Sequence, residues 1–159
     1  MTTVRLSKPD DFDAVDALLR RVYPKLLKED YAPSVRVLVL PRISRAQPAL
    51  LASGSYYVAE LNGEIVGAGG WTLDRRDHRV GHIRHLVTSD RHLRRGIGTA
   101  LIAESLDHAT RVGVRRMICW STFTAVPFYA SQGFRRLREI VVPLDRAVSF
   151  PAVEMERGL

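Results

Sequence analysis

Val4-Arg5-Leu6 alternates apolar and polar side chains, which predicts a short first strand. Phe12, Val15, Leu19 and Val22 then recur at helical spacing. Ser7 lies three residues before Asp10, with Pro9 in the first turn, so the helix is expected to start there. Its expected end is about Tyr23, ahead of Pro24. Residues 25–53 have weak periodicity and carry Pro33, Pro41 and Pro48. Short helices near 26–31 and 45–53 fit them, and such a segment can carry substrate contacts or merely connect.

Periodicity changes at Ser55. Ser55 to Glu60 is rich in β-formers, Asn62-Gly63 is a turn signal, and Glu64 to Leu73 resumes as a second strand. Arg75 to Arg79 reads as a charged turn, and His82 to Thr88 as the next strand. A helix follows to about Arg111, with Ile102, Leu106 and Ala109 as its buried stripe and Gly113 as its stop. Arg116 to Thr122 predicts a strand and Ala125 to Gln132 a short helix ended by Gly133. Val141 and Val142 fall in a further strand, and Val148 to Met155 form the last. This order predicts an α/β (α+β) fold: a mixed, mostly antiparallel sheet flanked by helices, with one strand-helix-strand crossover.

The chain has 159 residues, enough for one domain over 1–159 with a real core. Its formal net charge of +7 favours anionic partners such as polyphosphorylated cofactors, nucleic acid or acidic membranes. The arginines are scattered through helix, turn and strand with no aromatic interleaving, so nucleic acid ranks low. No stretch is long and apolar enough to span a membrane, and Met-Thr-Thr-Val-Arg-Leu lacks a signal-peptide core. The expected location is therefore cytoplasmic. The single cysteine, Cys119, sits in the apolar run Met117 to Trp120 and reads as a buried structural thiol.

The densest chemistry is Arg94-Arg95-Gly96-Ile97-Gly98-Thr99-Ala100-Leu101, between a strand and a helix. A helix start leaves backbone N–H groups without internal partners, and its dipole favours an anion. Gly96 and Gly98 permit close approach, and Arg94 and Arg95 add charge, which together describe a phosphate corner. A dinucleotide fold would want a third glycine where Leu101 stands, with an acidic residue roughly 20 positions later. A nucleotide P-loop would need Gly-Lys-Ser/Thr, which is absent. A purely structural glycine turn is the remaining alternative.

Further along comes Phe128-Tyr129-Ala130-Ser131-Gln132-Gly133-Phe134. Taken with Gly96-Ile97-Gly98, and with the hairpin into Val66-Gly67-Ala68-Gly69-Gly70-Trp71, this resembles the GNAT superfamily of N-acetyltransferases over roughly residues 3–143. Two positions depart from the family pattern. Leu93 stands where Gln or Arg is usual, and Thr122 where Asn is frequent.

The resemblance implies acetyl-CoA as co-substrate and no metal. Its diphosphate would rest on the amides of Arg94, Arg95, Gly96, Ile97, Gly98 and Thr99. Its pantetheine would lie like an added strand beside Leu86, Val87 and Thr88. An amide near Leu86 or Val87 would polarise the thioester carbonyl, and Thr122 would offer a hydroxyl. In the family the amine attacks directly, so Cys119 is not expected to be a nucleophile. Tyr129 is implied as the general acid that protonates the departing thiolate. The base is left open among Glu60, His82, His85, Asp74 and a water chain. The implied function is acetyl transfer to a primary amine of a small molecule or protein; the alternative is a non-catalytic acyl-CoA sensor on the same fold. A homodimer is compatible with such a chain.

Overall fold

A computed structural model describes residues 1–159. Seven strands form one sheet in the order β1-β2-β3-β4-β5-β7-β6. In chain order they are β1 (Thr2–Leu6), β2 (Tyr56–Leu61), β3 (Glu64–Leu73), β4 (Val80–Thr88), β5 (Arg116–Ser121), β6 (Arg135–Pro143) and β7 (Ser149–Gly158). Five helices accompany them: α1 (Phe12–Leu27), α2 (Pro33–Ile43), α3 (Pro48–Leu51), α4 (Ile97–Val112) and α5 (Val126–Ser131). Every neighbouring pair is antiparallel except β4 and β5. The expected mixed, mostly antiparallel sheet is therefore what forms.

Both faces of the sheet are covered, and β2 shows why. Strand side chains alternate faces. Tyr56 and Val58 join the cluster under α1 with Val15, Leu19 and Val22. Tyr57 and Ala59 point the other way, against Ile97 and Leu101 of α4. Farther along α4, Ile102, Leu106 and Ala109 pack with Trp71 and Met117, which makes the predicted stripe the face that meets the sheet.

The β4–β5 pair is the feature that creates a site. Only Val80–His82 pair with Arg116–Ile118. Beyond those residues the strands part, so the edge of β4 from 83 to 88 has no strand partner on the β5 side. The two sides are fastened around this gap by separate clusters. Tyr31 stacks on Phe123 and Phe150, with centroids 5.0 and 5.1 Å apart. Its hydroxyl donates to the Pro151 carbonyl at 2.7 Å and accepts from the Phe123 amide at 3.0 Å.

Three expectations need correction. Pro24 does not end the first helix, which continues to Leu27. A proline in a helix interior costs about 3 kcal/mol, but burying Tyr23 and Leu27 on the core face returns a comparable amount, roughly 1.5–3 kcal/mol per large side chain. Ser7 does not cap that helix; its hydroxyl donates to the Leu51 carbonyl. The Asp11 carboxylate accepts the Lys8 amide instead, at 2.7 Å, inside a 3-10 turn over Pro9–Asp11. Finally, the short helix expected near 45–53 forms as α3, but no separate helix forms at 26–31, and α2 occupies a stretch where none was expected. Pro33 and Pro48 each sit in a first helical turn, where the missing N–H is harmless.

Candidate active site

A cleft of about 430 Å³ fills the gap between β4 and β5 and runs to the start of α4. All the residues implied by the sequence resemblance line it. Leu86, Val87 and Thr88 come from the unpaired edge of β4. Arg94, Arg95, Gly96, Ile97, Gly98 and Thr99 come from the corner before and at the head of α4. Thr122 follows β5 and Tyr129 belongs to α5.

The corner is shaped by backbone conformation. Arg94 and Gly96 adopt left-handed φ values of 62° and 72°. The first helical bond is accepted from Ala100 by the Gly96 carbonyl at 2.9 Å, and no side chain caps the amides ahead of it. Gly98 is closely packed: a Cβ there would lie 3.0 Å from the Phe128 ring, which would have to shift by a few tenths of an ångström. Arg94 and Arg95 are exposed and paired with no carboxylate. The approach to the corner is pinned to α1. The buried Ser89 hydroxyl accepts from Arg21 at 3.1 Å and from the Arg91 amide at 3.2 Å. Asp90 is bonded by Lys25 and Arg21, which hold its carboxyl down at about 2. The result is an uncapped helix end with a cationic rim, suited to a polyphosphate.

At the other end of the cleft the candidate groups are side chains, with Tyr23, Tyr56 and Tyr129 buried and His85 partly buried. His85 takes a left-handed φ of 52°, and the β3–β4 register shifts there, with Arg84 facing Gly70 and Val87 facing Ala68. This bulge frees backbone groups from the ladder. Tyr56 donates its hydroxyl to the His85 carbonyl at 2.8 Å, and Tyr23 donates to the Leu86 carbonyl at 3.1 Å. Burial raises both phenols well above their ordinary range, so both remain donors.

His85 itself is locked. Its Nε2 lies 2.7 Å from the Ile43 carbonyl, which can only accept, so Nε2 carries the proton. The Tyr23 ring meets it edge-on at 5.8 Å. Burial lowers the pKa of the imidazole, which keeps it neutral at neutral pH, with Nδ1 as a free lone pair. Tyr129 is buried edge-on between Phe128 and Phe134 at 5.3 and 5.5 Å. Its hydroxyl reaches the cleft and has no protein partner. Burial first, then the neighbouring Cys119 and Tyr23, push its pKa far up, so it holds its proton at any physiological pH. The Cys119 thiol is likewise pushed up by burial and by Glu154, which removes it as a nucleophile.

The four side chains considered as bases separate clearly. Glu60 lines neither the cleft nor its surroundings; its carboxylate takes the Arg5 guanidinium at 2.8 Å. His82 and Asp74 bond each other at 2.9 Å in a second, more open groove. Of the four, only His85 lines the cleft. Thr122 is partly spent, since its hydroxyl accepts the Ala125 amide at 3.1 Å. Sequence reasoning missed Tyr23, Tyr56 and Trp120. The helical spacing Leu19–Tyr23–Leu27 carried a signal for Tyr23, masked by Pro24.

A family model described as acetyltransferase (GNAT) matches residues 14–134. A GCN5-related N-acetyltransferase of Rhodopseudomonas palustris superposes with a TM-score of 0.82 at 21% identity, over 100% of this chain and 96% of that one. PaiA N-acetyltransferase of Thermoplasma acidophilum, solved with coenzyme A, gives 0.78 at 11% identity, over 100% and 99%. N-acetylglutamate synthase of Neisseria gonorrhoeae, solved with coenzyme A and N-acetyl-glutamate, gives 0.70 at 18% identity, over 100% of this chain and 35% of that one. The present chain thus spans about a third of the synthase's length. No curated protein matches it. No helix is long and apolar enough to cross a membrane. The family match covers the α4 corner and Tyr129 together, and by that match the chain belongs to the GNAT family of acetyltransferases.

Proposed function

We propose that this chain transfers the acetyl group of acetyl-CoA directly to a primary amine, using Tyr129 as general acid and His85 as general base. The observation that carries this is the sharing of one cleft by an uncapped helix N-terminus and an unpartnered, fully protonated phenol. Acetyl-CoA supplies an activated acyl group and a leaving thiol. The amides of residues 94–99 would hold its diphosphate, with Arg94 and Arg95 at the rim. The unpaired edge of β4 at Leu86, Val87 and Thr88 offers backbone groups to an extended pantetheine. Thr122 still has its hydroxyl proton to offer.

The bulge supplies the electrostatics. Tyr23 and Tyr56 take up the carbonyls of Leu86 and His85, which fixes the peptide planes between them and presents an amide at Leu86 or Val87 for the acyl oxygen. His85 Nδ1 accepts the amine proton while the new C–N bond forms. Tyr129 gives its proton to sulfur as the C–S bond breaks, leaving a free thiol and an amide. No covalent enzyme intermediate is required, which agrees with the suppressed reactivity of Cys119.

Saturating coenzyme A should raise the melting temperature by mass action, and an amine panel with thiol detection should find turnover. Binding without turnover for any amine would make the chain an acyl-CoA sensor. No shift with coenzyme A would remove the assignment altogether.

A further inference from the structure

The cleft does not end at His85. Ile83, His85 and Trp120 line both it and a second groove of about 790 Å³ on the far side of the sheet gap. Four consecutive β4 residues, His82, Ile83, Arg84 and His85, border this groove, an arrangement that accompanies the left-handed kink at His85. The groove therefore approaches the reacting end of the cleft from the side opposite the α4 corner. That makes it the natural path for the acceptor.

Its charge is one-sided. Arg75, Arg76 and Arg84 line it against a single carboxylate, Asp74. That carboxylate is already consumed. It accepts from the Arg76 and Asp77 amides at 2.9 and 3.0 Å and holds the His82 ring at 2.9 Å. Glu154, behind Trp120, is taken by Arg138 at 2.6 Å and by the indole N–H at 3.1 Å. Arg84 is half-buried, and its Nε donates to the Thr72 hydroxyl at 2.8 Å. Its two terminal nitrogens meet no carboxylate of the protein. Burial first and then the neighbouring Arg75 disfavour its charge, offset only in part by Asp74, and its pKa is lowered on balance. A half-buried guanidinium without an anion is costly unless something else supplies one. Arg75 and Arg76 are exposed at the mouth and likewise unpaired.

We infer that the acceptor amine carries an anionic oxygen group, a carboxylate or a phosphate, which Arg84 binds in this groove while Arg75 and Arg76 guide it in. This deepens the proposed transferase assignment and depends on it. The guanidinium fork matches either group with paired hydrogen bonds. The same positive field works on the nitrogen: it disfavours the ammonium form and so helps deliver a neutral, nucleophilic amine to His85. It also disfavours polycationic acceptors.

The test has two measurements. In the first, amino acids are compared with their amides, O-phosphoethanolamine with ethanolamine, and putrescine serves as the cationic control, all with acetyl-CoA and thiol detection. The expected result is a preference for the anionic member of a pair of about tenfold or more in kcat/KM, lost through KM in Arg84→Gln and reduced in the exposed pair Arg75→Ala/Arg76→Ala. Whether the amino acids or phosphoethanolamine win identifies the anion. In the second, acetate and inorganic phosphate are titrated into coenzyme A-saturated protein and followed by NMR. Saturable shifts at Arg84 and Thr72, absent in Arg84→Gln, are expected. Neutral or cationic amines transferred as well as anionic ones, or an anion preference that survives Arg84→Gln, would overturn the inference and leave the transferase standing. Loss of all turnover with the acetate or phosphate shifts intact would sink the transferase and keep the anion site. Absence of those shifts would remove the site whatever the turnover.

Discussion

The two ends of the cleft are built from different materials. At the α4 corner the groups proposed to bind coenzyme A are main-chain amides, and the side chains around them are exposed arginines. At the β4 bulge and α5 the groups proposed to react are side chains, buried or partly buried, each held by a specific partner or aromatic wall. An amide persists under most substitutions, whereas a buried phenol or imidazole vanishes with one. The corner should therefore degrade gradually under mutation and the reacting end abruptly.

Tyr129→Phe draws that contrast most strongly. General acid catalysis is typically worth 10²–10⁴-fold, so kcat should fall by about that factor. Because the hydroxyl has no protein partner, its removal leaves no orphaned group, and the melting temperature should stay close to wild type. Coenzyme A should still stabilise the variant. A Tyr129→Phe protein with full turnover would transfer the acid role elsewhere.

His85 comes next. Its folded pKa lies below the ordinary value of about 6.5 because burial penalises the cation. If His85 is the base, its neutral form is present above that value and is lost as pH falls through the lowered pKa, so kcat/KM should drop on the acid side only below about pH 6.5. Stability has the same sign: the unfolded chain takes up the proton first, so the contribution of His85 is complete above about 6.5 and disappears as pH falls through the folded pKa. His85→Gln keeps a side-chain N–H for the Ile43 carbonyl. It should lower kcat by about 10²-fold, the lower end for acid–base catalysis, and erase the acid limb of the profile. A pH–rate profile unchanged in His85→Gln would return the base to a water chain.

Tyr56→Phe and Tyr23→Phe probe support rather than chemistry. Each leaves a partly buried carbonyl of the bulge without its donor, which should cost about 1 kcal/mol or more of stability by denaturant titration. If the bulge amide polarises the acyl oxygen, kcat should also fall several-fold, while affinity for coenzyme A moves little. A loss in stability with no loss in kcat would confine both tyrosines to folding.

The same contrast decides what was legible in the sequence. Gly96 and Gly98 mark the corner because a left-handed φ of 72° favours glycine and because a Cβ at Gly98 would crowd the Phe128 ring at 3.0 Å. Tyr129 was legible through its spacing from that corner and its neighbours Phe128 and Gly133-Phe134. Tyr23 and Tyr56 were not, since each acts on a carbonyl 63 or 29 positions away, and no local pattern encodes such a partner. His85 stood among four equal candidates until its Ile43 contact, 42 positions distant, fixed the tautomer. The strand order was half legible: the hairpin of β2 and β3 follows from Asn62-Gly63, but β7 inserts between β5 and β6 by pairing that no turn signal announces. The end of α1 and the existence of α2 were not legible, because Pro24 and Pro41 lie inside helices whose core contacts outweigh local preference.

The smallest expected effect lies at the corner. Arg94→Ala and Arg95→Ala each remove one exposed charge from the rim and leave the amides in place. Exposed charges contribute weakly and are screened at physiological salt, where the Debye length is about 8 Å. Affinity for coenzyme A should therefore fall only about two- to fivefold per substitution, with a shallower salt dependence than wild type and an unchanged kcat. Arg94 has the stricter backbone requirement, a left-handed φ of 62°, so Arg94→Gly is the cleaner variant: it removes the charge without straining the turn. If Arg94→Gly abolished coenzyme A binding, the diphosphate would be held by side-chain charge rather than by the α4 amides, and the supposed difference between the two ends of the cleft would disappear.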